Sequence, residues 1–88
     1  MKVKDGFMLH EVAGSFVAVP LGKAQVDFGG MLTLTPVGAF LWKKLEADTD
    51  EDALTKAVLA EYEVDEATAR RDVHAFLEKL RAHGLLES

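Results

Sequence analysis

The sequence predicts an α+β domain, with N-terminal antiparallel β-strands followed by three helices. Two observations carry this. Residues 7–34 are rich in Val, Phe, Leu and Gly, whereas residues 35–86 are rich in Ala, Leu, Glu, Lys and Arg, so a sheet half precedes a helix half. The stretch MLTLTPVGAFLWKKLE, residues 31–46, joins the halves: it begins as a strand and becomes a helix with no loop between.

The elements follow in order. FMLHEV, residues 7–12, reads as a first strand, Ala13-Gly14 as a tight turn, and SFVAVPL, residues 15–21, as a second strand antiparallel to the first. Pro20 lacks an N–H and therefore belongs at a strand end, bulge or edge. A second hairpin is expected in KAQVDFGGMLTL. A three-residue connection, Phe28 to Gly30, pairs Asp27 with Met31 and Val26 with Leu32, and puts Ala24 opposite Leu34, so that the apolar positions share a face. Thr35-Pro36 opens the first helix, Thr35 as cap and Pro36 in the first turn, and the helix should stop near Asp48. Val37, Phe40, Leu41 and Leu45 form its apolar stripe, with Trp42 off the centre. Asp50 caps a second helix over about residues 51–62, with Leu54, Val58 and Tyr62 in register. Asp65 caps a third and longest helix over about 66–83, burying Ala69, Val73, Phe76, Leu77 and Leu80. Gly84 suits its C-cap, and Leu85 and Leu86 can fold back onto the core. Three helices after a small sheet give a winged-helix-like order.

With 88 residues the chain is read as a single domain, 1–88, with a thin core and little room for a deep pocket. Cysteine is absent, which removes disulfides, thiolate metal sites and a Cys nucleophile and favours a reducing compartment. The net charge of -5 is opposite to the basic balance of most nucleic-acid binders. No apolar run approaches the roughly eighteen residues of a membrane span, and MKVKDGFMLH lacks the apolar stretch of a signal peptide. The expectation is a cytoplasmic protein that uses neither membrane nor nucleic acid.

Catalytic and metal chemistry find no frame. His10, His74 and His83 have no metal-ligand spacing, and His74 and His83 fall on opposite sides of the last helix. Ser15 and Ser88, the only serines, lack a nucleophile elbow. Asp50, Glu51 and Asp52 suit a helix N-terminus, and Glu61, Glu63, Asp65 and Glu66 suit turns, caps and a solvated face. Gly29-Gly30 lacks the frame of a phosphate loop. The expectation is no enzyme, no metal and no cofactor.

The last helix is more informative. On a helical wheel Arg70, His74 and Arg81 cluster on one flank of the buried face centred near Val73 and Leu80, with Arg71 farther round near Glu78. The plain account is helix solubility, aided by pairs such as Glu66–Arg70. The functional account is a lip that orients an acidic peptide. A third-helix DNA reader is the other option. It is disfavoured because Glu66, Asp72 and Glu78 alternate with the arginines.

Two motifs carry a resemblance. LTPVGAFLW, residues 34–42, is similar to a Leu-Asn/Thr-x-x-Gly/Ala-x-x-Ile/Leu-Trp pattern. RRDVHAFLEKLRAHGLL, residues 70–86, matches an Asp-Val-x-x-Phe-Leu-x-x-Leu-x-x-x-Gly-Leu pattern through Asp72, Val73, Phe76, Leu77, Leu80, Gly84 and Leu85. In this order, behind a strand-rich start, they resemble the PqqD-like family, named for a small protein of pyrroloquinoline quinone (PQQ) biosynthesis, whose relatives serve as recognition elements for ribosomally made, modified peptides. AQVDFGG, residues 24–30, lengthens the connection seen in the compact founding member and resembles the free-standing branch near other peptide-modifying systems.

The resemblance implies a non-catalytic peptide chaperone. It binds the leader part of a precursor peptide by adding it as a strand to the sheet edge, and presents it to a modifying enzyme, often of the radical S-adenosylmethionine type. Carried onto this chain, the receiving strand is Met31, Leu32, Thr33 and Leu34, and the opposite wall is Arg70, His74, Leu77 and Arg81. Asp72 and Trp42 are candidates for the enzyme interface, although a core position suits Trp42 better in so thin a domain. An unpaired edge strand also permits homodimerisation. The alternatives are a winged-helix DNA-binding regulator and a structural subunit of the modifying complex.

Overall fold

The computed structural model describes residues 1–22 and 31–87. The elements are β1 (Lys2–Val3), β2 (Phe7–Val12), β3 (Ser15–Pro20), β4 (Leu32–Leu34), α1 (Pro36–Lys44), α2 (Glu51–Glu61), α3 (Glu66–Ala82) and β5 (Leu86–Glu87). The architecture is α+β and winged-helix-like: antiparallel sheet first, three helices after. The expected hairpin of residues 24–27 against 31–34 involves residues outside those described.

β2 and β3 are joined by Ala13-Gly14, both with positive φ (51° and 82°), as a two-residue turn matching the twist of its strands requires. β3 is the central strand of the order β2-β3-β4, so β2 and β4 are the edges among the described residues. Phe16 opposes Leu34, Val17 opposes Thr33 and Ala18 opposes Leu32. β1 and β5 make a separate two-stranded sheet, with Lys2 opposite Glu87 and Val3 opposite Leu86. The sequence pattern marks no strand at either of these positions.

All three expected N-caps are made. The side chains of Thr35, Asp50 and Asp65 accept from the N–H groups of Gly38 (3.0 Å), Ala53 (2.8 Å) and Thr68 (2.7 Å). α1 ends at Lys44 with Leu45 as its C-cap, short of the expected Asp48. α3 closes in a Schellman motif. Gly84 has φ 69°, its N–H donates to Arg81 O (2.9 Å), and Leu85 N–H donates to Leu80 O (2.9 Å). That turn sends Leu85 into the core and leads the chain into β5.

The core lies between the sheet and the helices. Leu32 and Leu34 enter it from β4, Leu41, Trp42 and Leu45 from α1, Leu54 and Val58 from α2, and Val73, Leu77 and Leu80 from α3. Trp42 is not off the buried face, as the helical repeat alone had it. It is 1% exposed and meets Phe7 edge-on at 5.9 Å between ring centroids, because β2 covers that side of α1. Thr55, the buried polar side chain among the described residues, donates its hydroxyl to Glu51 O at 2.8 Å.

Candidate functional site: the β4 edge beneath α3

The backbone polarity of the sheet can be read strand by strand. In an antiparallel pair each residue turns its N–H and C=O to the same side, and the side alternates along the strand. Leu21 N–H donates to Gly6 O, so the odd-numbered residues of β3 and its extension face β2. Phe16 and Ala18 therefore face β4 and bond to their partners Leu34 and Leu32. Val17 and Thr33 form the non-bonded pair between them, so the N–H and C=O of Thr33 point away from β3. By the same alternation so do those of Met31. The Thr33 carbonyl accordingly accepts from an outside donor, Lys79 Nζ of α3, at 3.4 Å.

The side chains alternate as well. Leu32 and Leu34 are buried, whereas Met31 is 69% exposed and Thr33 is exposed. The strand is thus anchored by two leucines, and among the described residues no other strand pairs with its outer main-chain edge.

α3 overlooks that edge through one flank. Gly38, in the first turn of α1, lies so close to α3 that a Cβ there would stand 3.1 Å from Phe76 Cε1 and 3.2 Å from Thr35 Oγ1. The glycine lets the half-buried Phe76 ring settle against the strand-to-helix join. Phe76 and Lys79 share this flank at about 100° per residue, and Asp72 falls between them on the wheel. Neither Phe76 nor Lys79 is among the site residues expected from the sequence. Their signal was available in the wheel position of both, and in a glycine buried within a helix.

The residues that are expected from it are placed as follows. Met31, Leu32, Thr33 and Leu34 form the edge just described. Leu77 is 0% exposed, so it supports the wall from the core and presents no surface. Arg70, His74 and Arg81 lie across the buried Val73–Leu77–Leu80 line from Lys79. Arg70 reaches Asp52 of α2 (Nη1–Oδ1 2.9 Å) and Glu66 (Nε–Oε2 2.9 Å). His74 Nδ1 stands 3.4 Å from Glu51 Oε1, also of α2, and Arg81 Nη1 lies 2.6 Å from Glu78 Oε1. The structure therefore brings Arg70 and His74 together at the α2–α3 interface and not with β4, because α2 packs on that side of α3. Each basic side chain of the supposed lip faces an acid. The Arg70 guanidinium holds Asp52 below the usual carboxylate range, while Asp52 and then Glu66 raise the pKa of Arg70. Lys79, by contrast, makes no ion pair among the described residues. Asp72 is half exposed, with Arg71 Nε at 3.4 Å. Trp42 is core and has almost no surface to offer a partner.

Among the described residues no group of three or more His, Cys, Asp or Glu side chains could hold a metal ion. A cleft of about 140 Å³ lies between the β1–β2 connection and Trp42 and Glu46, below the roughly 300 Å³ at which small-molecule sites begin. No helix among the described residues is long and apolar enough to cross a membrane.

Comparison with known proteins bears on this geometry. The family model for coenzyme PQQ synthesis protein D (PqqD) matches residues 6–86. Among solved structures the chain is similar to TbiB1 in complex with the TbiA(beta) leader peptide: 30% identity, TM-score 0.76, 100% of this chain and 96% of that one. It shares its fold with a lasso peptide synthetase B1 complexed with the leader peptide, at 16% identity and TM-score 0.73, over 99% of this chain and 96% of that one. A search of curated proteins returned no match.

Proposed function

The chain belongs to the PqqD family, and on that footing we propose that it is a non-catalytic recognition domain for the leader part of a precursor peptide. The peptide adds as a strand to the outer edge of β4, and the domain presents it to a peptide-modifying enzyme, of the radical S-adenosylmethionine type or another. The observation that carries this reading is the pair of outward-facing main-chain positions, Met31 and Thr33, on an edge that α3 overlooks. Main-chain bonds supply affinity in such an addition, each worth about 0.5–1.5 kcal/mol net, and neighbouring side-chain pockets supply selectivity. TbiB1, 30% identical over the whole chain, has been captured with a leader peptide, which supports the same use of this fold.

The wall of the groove is assigned to Phe76 and Lys79, with Leu77 beneath them. Arg70, His74 and Arg81, on the α2 flank, are assigned to the surface that meets the modifying enzyme, whereas exposed Asp72 lies on the β4 flank with Phe76 and Lys79. A second copy of the chain would compete for the same β4 edge, so peptide binding and homodimerisation exclude each other there.

Amide NMR during titration tests the reading, first with the TbiA(beta) leader peptide and then with leader segments of precursors encoded beside this chain. Saturable shifts are expected at residues 31–34, 76 and 79. Shifts confined to the far face of α2 would overturn the site. Absence of binding to every such peptide would overturn the function.

A further inference from the structure

Lys79 makes no ion pair among the described residues, and its ammonium lies 3.4 Å from the Thr33 carbonyl. That carbonyl is an acceptor which, on the reading above, an incoming strand needs for its own N–H. Strand addition therefore displaces Lys79. The side chain is exposed and has a long flexible stem, so its charge stays beside the new strand. The rest of the α3 charge is already matched: Arg70 by Asp52 and Glu66, Arg71 by Asp72, Arg81 by Glu78. The chain as a whole carries -5, so an acidic peptide needs a local unmatched cation to attract it, and on the β4 flank of α3 that cation is Lys79.

From this we infer that Lys79 determines specificity at the β4 edge, closing the Thr33 carbonyl in the free protein and pairing with an acidic side chain of the peptide once the main chain has displaced it. The inference rests on the strand-addition reading and names its substrate class: an extended segment with a carboxylate near the residue bonded to Thr33.

The experiment selects binders from a random peptide library displayed on phage, using the full chain and its Lys79→Glu and Lys79→Met variants. Circular dichroism confirms that each variant melts like the parent. The parent should enrich peptides with Asp or Glu at one fixed place in an apolar extended motif. Lys79→Glu should enrich Lys or Arg at that place. Lys79→Met should bind the parent's best synthetic peptide about three- to tenfold more weakly, with a shallower dependence on salt. An enriched motif without an acidic position, or one unchanged in Lys79→Glu, would overturn the role of Lys79 and leave peptide binding standing. Failure of the parent to enrich any peptide would overturn the peptide-binding reading and this inference with it.

Discussion

Thr33→Pro tests the backbone polarity of β4, on which the site depends. Proline at position 33 removes an N–H that points away from β3, so no ladder bond is lost. Its fixed φ costs folding energy, and its restriction of the unfolded chain returns about 0.4–1 kcal/mol. The net change relative to Thr33→Ala should stay within about 1 kcal/mol. Leu32→Pro is different. The Leu32 N–H faces β3, and its loss leaves a buried Ala18 carbonyl unpaired at a cost of about 1–3 kcal/mol beyond that of Leu32→Ala. A domain of this size has a total stability of about 4–13 kcal/mol, and each kcal/mol moves Tm by about 4–8 °C. In thermal melts of the four variants by circular dichroism, Leu32→Pro should therefore fall about 4–24 °C below its alanine reference, and Thr33→Pro should stay within about 4–8 °C of its own. Equal losses for Thr33→Pro and Leu32→Pro would refute the alternation and remove the main-chain basis of the proposed site. In the folded Thr33→Pro protein, leader-peptide affinity should fall about three- to tenfold, the equivalent of one main-chain bond.

Other substitutions probe the frame of the site. Ala13→Asn should raise stability by about 0.5–1 kcal/mol in urea melts, since Ala13 sits at φ 51° where asparagine is better tolerated; an unchanged midpoint would argue against that turn. Gly84→Ala should cost about 1–2 kcal/mol, because φ 69° strains any side chain although the space around it is open. Leu77→Ala should cost about 2–5 kcal/mol and lower Tm by about 10 °C or more, as expected of a core residue and not of a peptide contact. Acid should destabilise the fold. Asp48 is held below its ordinary pKa by the Met1 ammonium, Asp52 by Arg70 and Asp65 by the Thr68 N–H. With folded values depressed, the unfolded chain binds more protons. Their contribution is therefore present above about pH 4 and lost as pH falls through the lower folded values. Urea midpoints should decline below about pH 4, and Asp65→Asn should flatten that decline.

Features that depend on neighbours a few residues away are legible in the chain alone. Thr35, Asp50 and Asp65 cap because a short side-chain acceptor reaches an N–H three residues on, whatever packs nearby. Ala13-Gly14 turns and Gly84 ends α3 for equally local reasons. The family motifs also pointed to residues 31–34 as the proposed receiving edge. Which surface of each element meets which neighbour is settled by long-range packing. A helical wheel shows that α3 has two flanks, but not that α2 covers the one with Arg70 and His74 while Phe76 and Lys79 overlook β4. Trp42 lay off one stripe and is still core, because Phe7 comes from thirty-five residues earlier to cover it. The pairings of β4 with β3 and of β1 with β5 likewise join segments distant in the chain. The physical reason is common to all of these. Caps and turns are satisfied within a turn of backbone, whereas burial and strand pairing are satisfied by whichever distant surface closes the core, and the α3 flank left over β4 follows from that closure.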